Sequence, residues 1–408
     1  MKQIIYILLL LATTSMAFSQ SGWTSQTSGT TNGLYGVFFT SNNIGTAVGN
    51  YGTIIRTTDG GTTWTNQSSP IYNPWWGVFF ADDNTGTVVG YSGYIIQTTD
   101  GGATWSQSRP PYNPLWGVFF TDTNNGTAVG DLGTILRTTN GGSTWMSQTS
   151  GTTHRLNGVC FTDVNTGTVV GDSGTIIRTT DGGTSWTNQI SGTQEWLQGV
   201  TLCNTDIGTV VGGTHGGIIL RTTNAGTTWT TQLSGGVHNL KGVSFTDTSN
   251  GTAVGNNGDI LRTTNGGTTW TSQSSGRPYD LYSVSFIDAS TGTAVGSNGT
   301  ILRTTTGGVT WVASEQQGAP PQSYRLKQNY PNPFNPITSI EFSVVHIGLV
   351  NLEIYNTLGE KINTLMSGEF HPGTYKIDWN ASDVPSGIYF IRMQASAFSQ
   401  SKKIVLLR

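Results

Sequence analysis

The chain has 408 residues, of which 56 are glycine and only 10% are charged, with a formal net charge of -3. Its length is greater than one hydrophobic core usually serves, so we expect several domains or a repeat architecture. The net charge argues against a nucleic-acid-binding protein, because such proteins need a strong basic patch to neutralise phosphates.

The first segment, residues 1–19, has the features of a signal peptide. An early lysine, Lys2, precedes an apolar run centred on Ile4 to Ala12, and small residues follow it as far as Gln20. The run is too short to span a bilayer stably, and no later stretch is long and apolar enough to do so. We therefore expect the rest of the chain to leave the cytoplasm and to lack a transmembrane segment.

A tryptophan returns about every 41 residues from the start of the mature chain. The eight copies are Trp23, Trp64, Trp105, Trp145, Trp186, Trp229, Trp270 and Trp311. Between them the order GVxF, GTxVG, GxIxRTT, glycine turn and WTxQ recurs, which indicates four short strands per repeat. One four-stranded unit cannot bury both of its faces, whereas seven arranged radially can. The period therefore predicts a seven-bladed β-propeller over residues 20–311.

The number of strands predicts how the ring closes. The first three strand types occur seven times each, but the strand that begins with tryptophan occurs eight times, because Trp23 opens the chain with an additional copy. Either the Trp23 strand or the Trp311 strand completes the last blade, and the sequence leaves both open.

The turn TTDGGTTW at residues 57–64 carries an aspartate that could be catalytic or could cap a turn. Its third position is occupied in the seven copies by Asp59, Asp100, Asn140, Asp181, Asn224, Asn265 and Thr306. Asparagine caps a turn as aspartate does, but it cannot ionise. The exchange of these residues between repeats indicates a turn cap.

This pattern, [ST]-x-D-x-G-x-x-W, resembles the Asp-box, or bacterial neuraminidase repeat. The 41-residue unit is similar to the propeller of photosystem II stability and assembly factors, over about residues 21–311. The resemblance implies a fold more than a function, because sialidases, xyloglucanases, sorting receptors and assembly factors all contain Asp-boxes.

The last part of the chain differs in composition from the repeats. Residues 312–323 read as a polar linker with proline and glycine, and residues 324–408 alternate apolar and polar residues between turns. The alternation predicts a small Ig-like β-sandwich of about seven strands. The whole chain is therefore expected to be all-β.

Residues 324–408 closely resemble the type A C-terminal sorting domain of the type IX secretion system. The matching stretches are QNYPNPFNP, IYNTLGEKI, GTYKIDWNA, SGIYFIR and the closing KKIVLLR. The resemblance implies type IX machinery as a partner, Sec export through the periplasm, and a final location outside the cell or on the outer-membrane surface. The alternative is an ordinary Ig-like accessory module.

Directly before each GVxF motif, and directly after an apolar residue, stands a residue that varies between repeats and should surround the channel mouth. The seven are Tyr35, Trp76, Trp116, Asn157, Gln198, Lys241 and Tyr282. The aromatic members, Tyr282, Tyr35, Trp76 and Trp116, fall on consecutive blades, and we call them the aromatic crescent. Nearby loops supply three further tyrosines, which are Tyr72, Tyr112 and Tyr279. Flat rings beside amides suit a sugar face or an extended peptide, and the alternative is that they only plug the channel.

A catalytic alternative uses Asp131 and Asp172, which occupy equivalent turns between the second and third strands of neighbouring blades. A carboxylate pair can hydrolyse glycosides, but aspartate is also a common turn residue. The arginines that recur in GxIxRTT are expected to be structural. No histidine spacing suits a metal, and no cofactor is expected. The sequence thus favours an exported, monomeric binding or scaffold propeller for a glycan or extended protein segment, with a secreted glycoside hydrolase as the alternative.

Overall fold

The computed structural model describes residues 19–108, 113–313, 321–346, 348–370, 372–381, 384–395 and 398–407. The larger of two compact units is Ser21–Val309, and the smaller consists mainly of Thr310–Leu365 and Glu369–Arg408. Across the described ranges, every helix falls short of the length and apolar character needed to cross a membrane.

The larger unit contains seven antiparallel blades, which we number by their first strands. These are Leu34–Phe39, Trp75–Phe80, Leu115–Phe120, Leu156–Phe161, Leu197–Leu202, Leu240–Phe245 and Leu281–Phe286. The second strands are Gly45–Gly49, Gly86–Gly90, Gly126–Gly130, Gly167–Gly171, Gly208–Gly212, Gly251–Gly255 and Gly292–Gly296. The third strands are Ile54–Thr57, Ile95–Thr98, Ile135–Thr138, Ile176–Thr179, Ile218–Thr222, Ile260–Thr263 and Ile301–Ala313. The fourth strands of blades one to six are Thr65–Asn66, Ser106–Ser108, Met146–Gln148, Thr187–Gln189, Thr230–Ser234 and Thr271–Gln273.

The N-terminal strand Ser19–Gln26 closes the ring as the fourth strand of blade seven. It pairs with Ile301–Ala313, and the Thr24 hydroxyl donates to the Arg303 carbonyl at 3.1 Å. Trp23 is only 2% exposed and lies edge-on to Phe286, with ring centroids 5.8 Å apart. The Trp23 copy, and not the Trp311 copy, therefore completes the last blade.

Apolar residues of neighbouring blades pack between the sheets. In one such cluster Val48 and Ile54 of blade one meet Trp75, Phe80 and Ile96 of blade two. The apolar residue that begins each first strand is fully buried in all seven blades, as the sequence predicts. Burial of these faces supplies the stability that a single blade lacks.

Buried arginines connect each blade to the next. Arg137 donates to the Thr127 hydroxyl of its own blade at 3.0 Å and to the Val164 carbonyl of blade four at 2.9 Å. Its guanidinium carbon also lies 5.2 Å from the Phe161 ring centroid. The arginines that donate in the same way are Arg56, Arg178, Arg221, Arg262 and Arg303. These arginines are structural, since their hydrogen-bonding capacity is used inside the ring.

Blade two has Gln97 where the other blades have the repeat arginine. This shorter side chain also donates to the next blade, but to a different carbonyl. Its amide nitrogen donates to the Gly141 carbonyl of blade three at 2.7 Å. The other blades make the equivalent bond from the glutamine of WTxQ. Gln148 is an example, because it donates to the Gly182 carbonyl at 3.1 Å and accepts from the Trp186 indole at 3.2 Å. Each Asp-box turn is thus held by a glutamine of the preceding blade.

The Asp-box carboxylate caps its own turn. Asp59 accepts from the Thr57 hydroxyl at 2.8 Å and from the Thr63 backbone and hydroxyl at 2.9 and 2.7 Å. Asn140 accepts the two corresponding bonds at 3.0 Å and donates its amide to the Thr144 hydroxyl at 2.9 Å. Asparagine therefore reproduces the aspartate geometry with one hydrogen bond reversed, which explains their exchange between repeats.

The Asp-boxes and the turns between second and third strands lie on opposite faces of the ring. The Gly60 N–H donates to the Asn43 carbonyl of a turn between first and second strands at 2.9 Å. The Gly52 N–H, in contrast, donates to the Asn73 carbonyl in the loop that enters blade two, also at 2.9 Å. The Asp-boxes are therefore far from the loops that enter the first strands.

The smaller unit is a β-sandwich, as predicted. One sheet contains Arg325–Leu326, Ile337–Val344 and Gly373–Asn380, and the other contains Lys361–Phe370, Gly348–Tyr355, Gly387–Ala395 and Phe398–Leu406. Within this unit, Val312 and Ala313 pair with Lys376 and Tyr375. The sheets face each other through Phe342 and Phe370, whose ring centroids are 5.8 Å apart.

Replacing Trp23 with alanine should destabilise the protein strongly, because it removes a buried ring from the closing strand. We expect a loss of about 3–5 kcal/mol, the usual range for a large aromatic core residue. Urea unfolding followed by tryptophan fluorescence measures it. Met146→Ala, at a side chain that is 72% exposed, is the matched control and should change little. Equal unfolding midpoints for Trp23→Ala and the control would contradict closure by this strand.

The Asp-boxes should make stability depend on pH at acid values. The Thr63 backbone N–H, with the Thr63 and Thr57 hydroxyls, lowers the pKa of Asp59 to about 2. Hydrogen bonds from the turn likewise lower the pKa values of Asp100 and Asp181 to about 2. A carboxyl whose pKa is lower in the folded state stabilises it above the unfolded pKa, and this contribution disappears as pH falls through the folded pKa.

The triple variant Asp59→Asn, Asp100→Asn, Asp181→Asn should therefore lose less stability than the wild type between about pH 4 and pH 2. At pH 7 it should stay folded, since asparagine fills the same turns. Urea midpoints measured at several pH values give both curves. Parallel curves for the two proteins would show that these carboxylates do not carry the dependence.

Candidate functional site

The seven variable residues of the first strands line a single cavity of ≈ 370 Å³ at the centre of the propeller. They are Tyr35, Trp76, Trp116, Asn157, Gln198, Lys241 and Tyr282. A ring of valines lines the cavity with them, formed by Val37, Val78, Val118, Val159, Val200, Val243 and Val284. The cavity thus has a mixed aromatic and polar rim and an apolar lining.

A β-bulge positions each of these rim residues. In blade three Leu115 pairs with Gly130 and Gly117 with Val129, so that Trp116 is an additional residue without a partner in the register. The same shift occurs in the other six blades. A bulge changes the direction of the side chain at the additional residue, which directs the varying residue to the channel.

Glycine follows the bulge because neighbouring first strands approach closely there. A Cβ atom at Gly158 would lie 2.8 Å from the Gln198 carbonyl oxygen, and one at Gly36 would lie 2.9 Å from the Trp76 carbonyl oxygen. Blade seven has Ser283 instead, and its hydroxyl accepts from the Val37 N–H at 3.3 Å. The glycines therefore keep the ring of first strands narrow.

Four planar groups form a continuous stack across blades two to five. Trp76 and Trp116 are parallel within 4°, with centroids 3.8 Å apart. The Arg155 guanidinium lies 4.8 Å from the Trp116 centroid and 5.3 Å from that of Trp196. We call Trp76, Trp116, Arg155 and Trp196 the Trp–Arg stack. Because blades two and four flank blade three, Trp76 and Arg155 cover opposite faces of Trp116, and that ring cannot stack on a sugar.

The tyrosines of the sequence prediction separate into two groups. Tyr35 and Tyr282 of the crescent contact each other at the cavity, with centroids 5.1 Å apart. Tyr72 is 77% exposed and packs on Tyr51 outside the cavity lining. Tyr279 also lies outside that lining and packs beside Arg277, and the predicted Tyr112 lies outside the described residues.

In blades one to four the first residue of the turn between second and third strands contacts the rim residue of its own blade, 15 positions earlier. Asp131 accepts from the Trp116 indole at 2.6 Å, and Asn50 donates to the Tyr35 hydroxyl at 2.9 Å. In blade two Tyr91 instead packs edge-on to Trp76, with centroids 6.2 Å apart. The turns therefore fix the orientation of the rim.

Asp172 has the same role in blade four. It accepts from the Asn157 amide at 2.9 Å and forms an ion pair with Arg155 at 3.3 Å. Asp131 and Asp172 line one cleft of ≈ 500 Å³ together with Arg155 and Trp196. Each carboxylate is already engaged by a side chain of the rim or the stack. The two carboxylates are arranged to anchor the Trp–Arg stack and the rim.

Lys241 is the basic residue of the rim. Burial lowers the pKa of its ammonium, an effect that nearby Asp280 opposes and nearby Arg155 reinforces. Asn157 is already engaged, because its amide also donates to the Leu197 carbonyl at 2.9 Å. Gln198 lies between these two residues in the rim.

Some residues near the rim are missed by the repeat pattern. Arg155 and Trp196 come from loops that enter first strands, and they fall outside the repeated arginine and tryptophan positions. Tyr51 and Leu132 sit in the left-handed region, at φ 53° and 54°, where equivalent turns have serine or asparagine. They are 58% and 69% exposed. Comparison of the turns between repeats would have identified both, since bulky residues rarely adopt this conformation.

The described residues contain no group of three histidine, cysteine, aspartate or glutamate side chains that could hold a metal ion. The chemistry available at the rim is therefore that of aromatic rings, amides, one lysine and anchored carboxylates.

Two protein-family models match the chain. The model described as "Photosynthesis system II assembly factor YCF48" matches residues 15–108, 112–240 and 236–313, together well over half of the chain. The model described as "Secretion system C-terminal sorting domain" matches residues 328–407. No curated protein matches the sequence.

Solved propellers resemble the larger unit. A structure titled "YCF48 bound to D1 peptide" is 20% identical, with a TM-score of 0.60, and covers 71% of this chain and 97% of its own. YCF48 from Cyanidioschyzon merolae is 21% identical, with a TM-score of 0.57, and covers 69% and 98%. The WD40 propeller domain of Doa1 is 10% identical, with a TM-score of 0.57, and covers 70% and 97%.

The solved structures are at most 21% identical and show the fold of the larger unit. The family models show to which family the chain belongs. The sorting domain indicates secretion to the cell surface or outside the cell. The chain belongs to the family of photosynthesis system II assembly factor YCF48, and it carries a type IX secretion system C-terminal sorting domain.

Proposed function

We propose that the protein is an exported binding propeller that holds an extended protein segment at the rim of its central cavity. The observation that carries this proposal is the Trp–Arg stack. It covers both faces of Trp116, so the crescent presents ring edges and a narrow cavity more than open faces. Ring edges with adjacent amides suit a peptide better than a sugar, which binds by stacking.

The comparisons support the same choice. YCF48, a propeller of similar fold, has been solved bound to a D1 peptide. In the present chain Tyr51, Tyr72 and Leu132 are exposed on loops around the rim. They would extend the contact along a segment that passes from the rim outward. A ligand of this kind buries apolar side chains and adds few charged contacts.

The glycoside hydrolase alternative has one favourable observation, which is that Asp131 and Asp172 line the same cleft. Each of them, however, is hydrogen bonded to a side chain of the rim or the stack. Catalysis would require at least one of them to leave its partner. We therefore propose that Asp131 and Asp172 orient the side chains of the rim.

We also propose that export uses the Sec pathway through the signal peptide at residues 1–19. Residues 324–408 would then direct passage through the outer membrane and would be removed, with 312–323 as the linker. The protein would act as a monomer at the surface or in the medium.

Binding is tested with the purified full chain on two arrays, one of immobilised 12-residue peptides and one of glycans. We expect peptides to bind, and Trp76→Ala to weaken the best of them at least ten-fold, because it removes the outer ring of the stack. Met146→Ala changes an exposed residue in the fourth strand of blade three, outside the cavity lining, and should bind as the wild type does. Binding of glycans alone would contradict the proposal.

The same preparations are assayed for release of reducing ends from polysaccharides. Turnover that is lost in both Asp131→Asn and Asp172→Asn would replace the binding proposal with the hydrolase.

Deletion of residues 319–408 tests the sorting role in the native host. The shortened chain should accumulate in the periplasm, and the full chain should reach the surface or the medium. Cell fractionation and blotting with an antibody to the propeller measure both. Equal export of the two chains would show that this domain is an accessory module.

A further inference from the structure

Lys241 differs from every other basic side chain near the central cavity. It is the one lysine between residues 21 and 318 of the sequence. The repeat arginines and Arg155 all donate to hydroxyls, carbonyls or carboxylates. Within the described ranges, in contrast, the Lys241 ammonium has neither a hydrogen bond nor an ion pair. A partly buried charge without a partner is unfavourable, so its place in the cavity lining calls for an explanation.

The charged groups around Lys241 do not neutralise it. Asp280 is the nearest acid, but its carboxylate accepts from the Asn257 N–H at 2.8 Å and forms no ion pair with Lys241. Arg155 is also near, and it is paired with Asp172. Tyr282, on the neighbouring blade, contributes a neutral hydroxyl. The rim therefore keeps one unpaired positive charge beside the Gln198 amide.

Apolar groups also line the cavity, beside the polar arc of Asn157, Gln198 and Lys241. The crescent begins at Tyr282, on the blade next to Lys241, and continues round the rim to Trp116, and the seven valines line the cavity with it. The volume of ≈ 370 Å³ is at the lower end of the range of about 300–1,000 Å³ found for ligand pockets. The cavity can thus receive a short part of a chain that carries one negative charge and one apolar group.

We propose that Lys241 binds a carboxylate of the protein segment held at the rim, while an adjoining apolar side chain contacts the crescent and the valines. This rests on the proposed function and names the chemical group that the segment must carry. The ammonium and the Gln198 amide donate to the carboxylate, and burial strengthens the ion pair. The carboxylate is either the end of a chain or an aspartate or glutamate side chain.

Two pairs of peptides distinguish these sources. The first pair is acetyl-Leu-Phe with a free or an amidated C-terminus. The second is acetyl-Leu-Glu-Phe-amide and acetyl-Leu-Gln-Phe-amide.

Binding of each peptide to the full chain is measured from the shifts of the ¹⁵N indole resonances of the tryptophans, since Trp76 and Trp116 line the cavity. The variants are Lys241→Met, which keeps the length of the side chain, Lys241→Arg, which keeps the charge, and Lys327→Met as the matched control. Lys327 is paired with Glu341 in the smaller unit.

We expect the wild type to bind at least one acid peptide ten-fold or more tightly than its neutral partner. This preference should disappear in Lys241→Met, return in part in Lys241→Arg and stay unchanged in Lys327→Met. If acid and neutral peptides bind equally well, or if Lys241→Met keeps the preference, the carboxylate site is wrong although the binding function stands. If none of the four peptides binds, both proposals fail.

Stability separates a binding role from a structural one. Because Lys241 has no partner within the described ranges, Lys241→Met should leave the urea midpoint unchanged or raise it, since a partly buried charge is replaced by an apolar group of similar length. A large fall in the midpoint would mean that the lysine stabilises the ring, and it would overturn the inference.

Discussion

The ring depends on the buried hydrogen bond by which an arginine of one blade donates to a turn carbonyl of the next. A buried guanidinium needs hydrogen-bond acceptors, and here a hydroxyl of its own blade and a carbonyl of the next each accept from one of its terminal nitrogens. Neither blade can shift without breaking the bond. Together with the close approach of first strands at the glycines that follow each bulge, these bonds hold neighbouring blades in register.

The arginine and glutamine contacts between blades lie on one face of the propeller, and the variable rim residues lie on the other. The Asp-box face holds the arginine, glutamine and tryptophan contacts between blades, and its sequence hardly varies from repeat to repeat. The opposite face needs only an apolar residue, a bulge and a glycine to form each rim position. Since nothing in the fold depends on the side chain at the bulge, this position can change freely, and ligand recognition can evolve there.

The fold and the positions of the rim residues follow from the sequence, because period and alternation are local properties of the chain. The contacts among those residues do not. Trp116 was expected to offer an open ring, but Arg155 covers it from a loop that no repeat pattern describes. The spacing of Asp131 and Asp172 also allows a catalytic hypothesis. The bulges at Trp116 and Asn157, however, bring these two side chains within hydrogen-bonding distance of the carboxylates. Pairings that depend on a register shift cannot be read from spacing alone.

The closing strand gives the propeller an order of assembly. Thr24 and Arg303, which it joins, are 279 residues apart in sequence. The closing strand can therefore pair only after the last blade has formed at the other end of the propeller sequence. Contacts of such high sequence separation form slowly. Until the two ends meet, the third strand of blade seven has an unpaired edge, so ring closure also removes this exposed strand edge of the propeller.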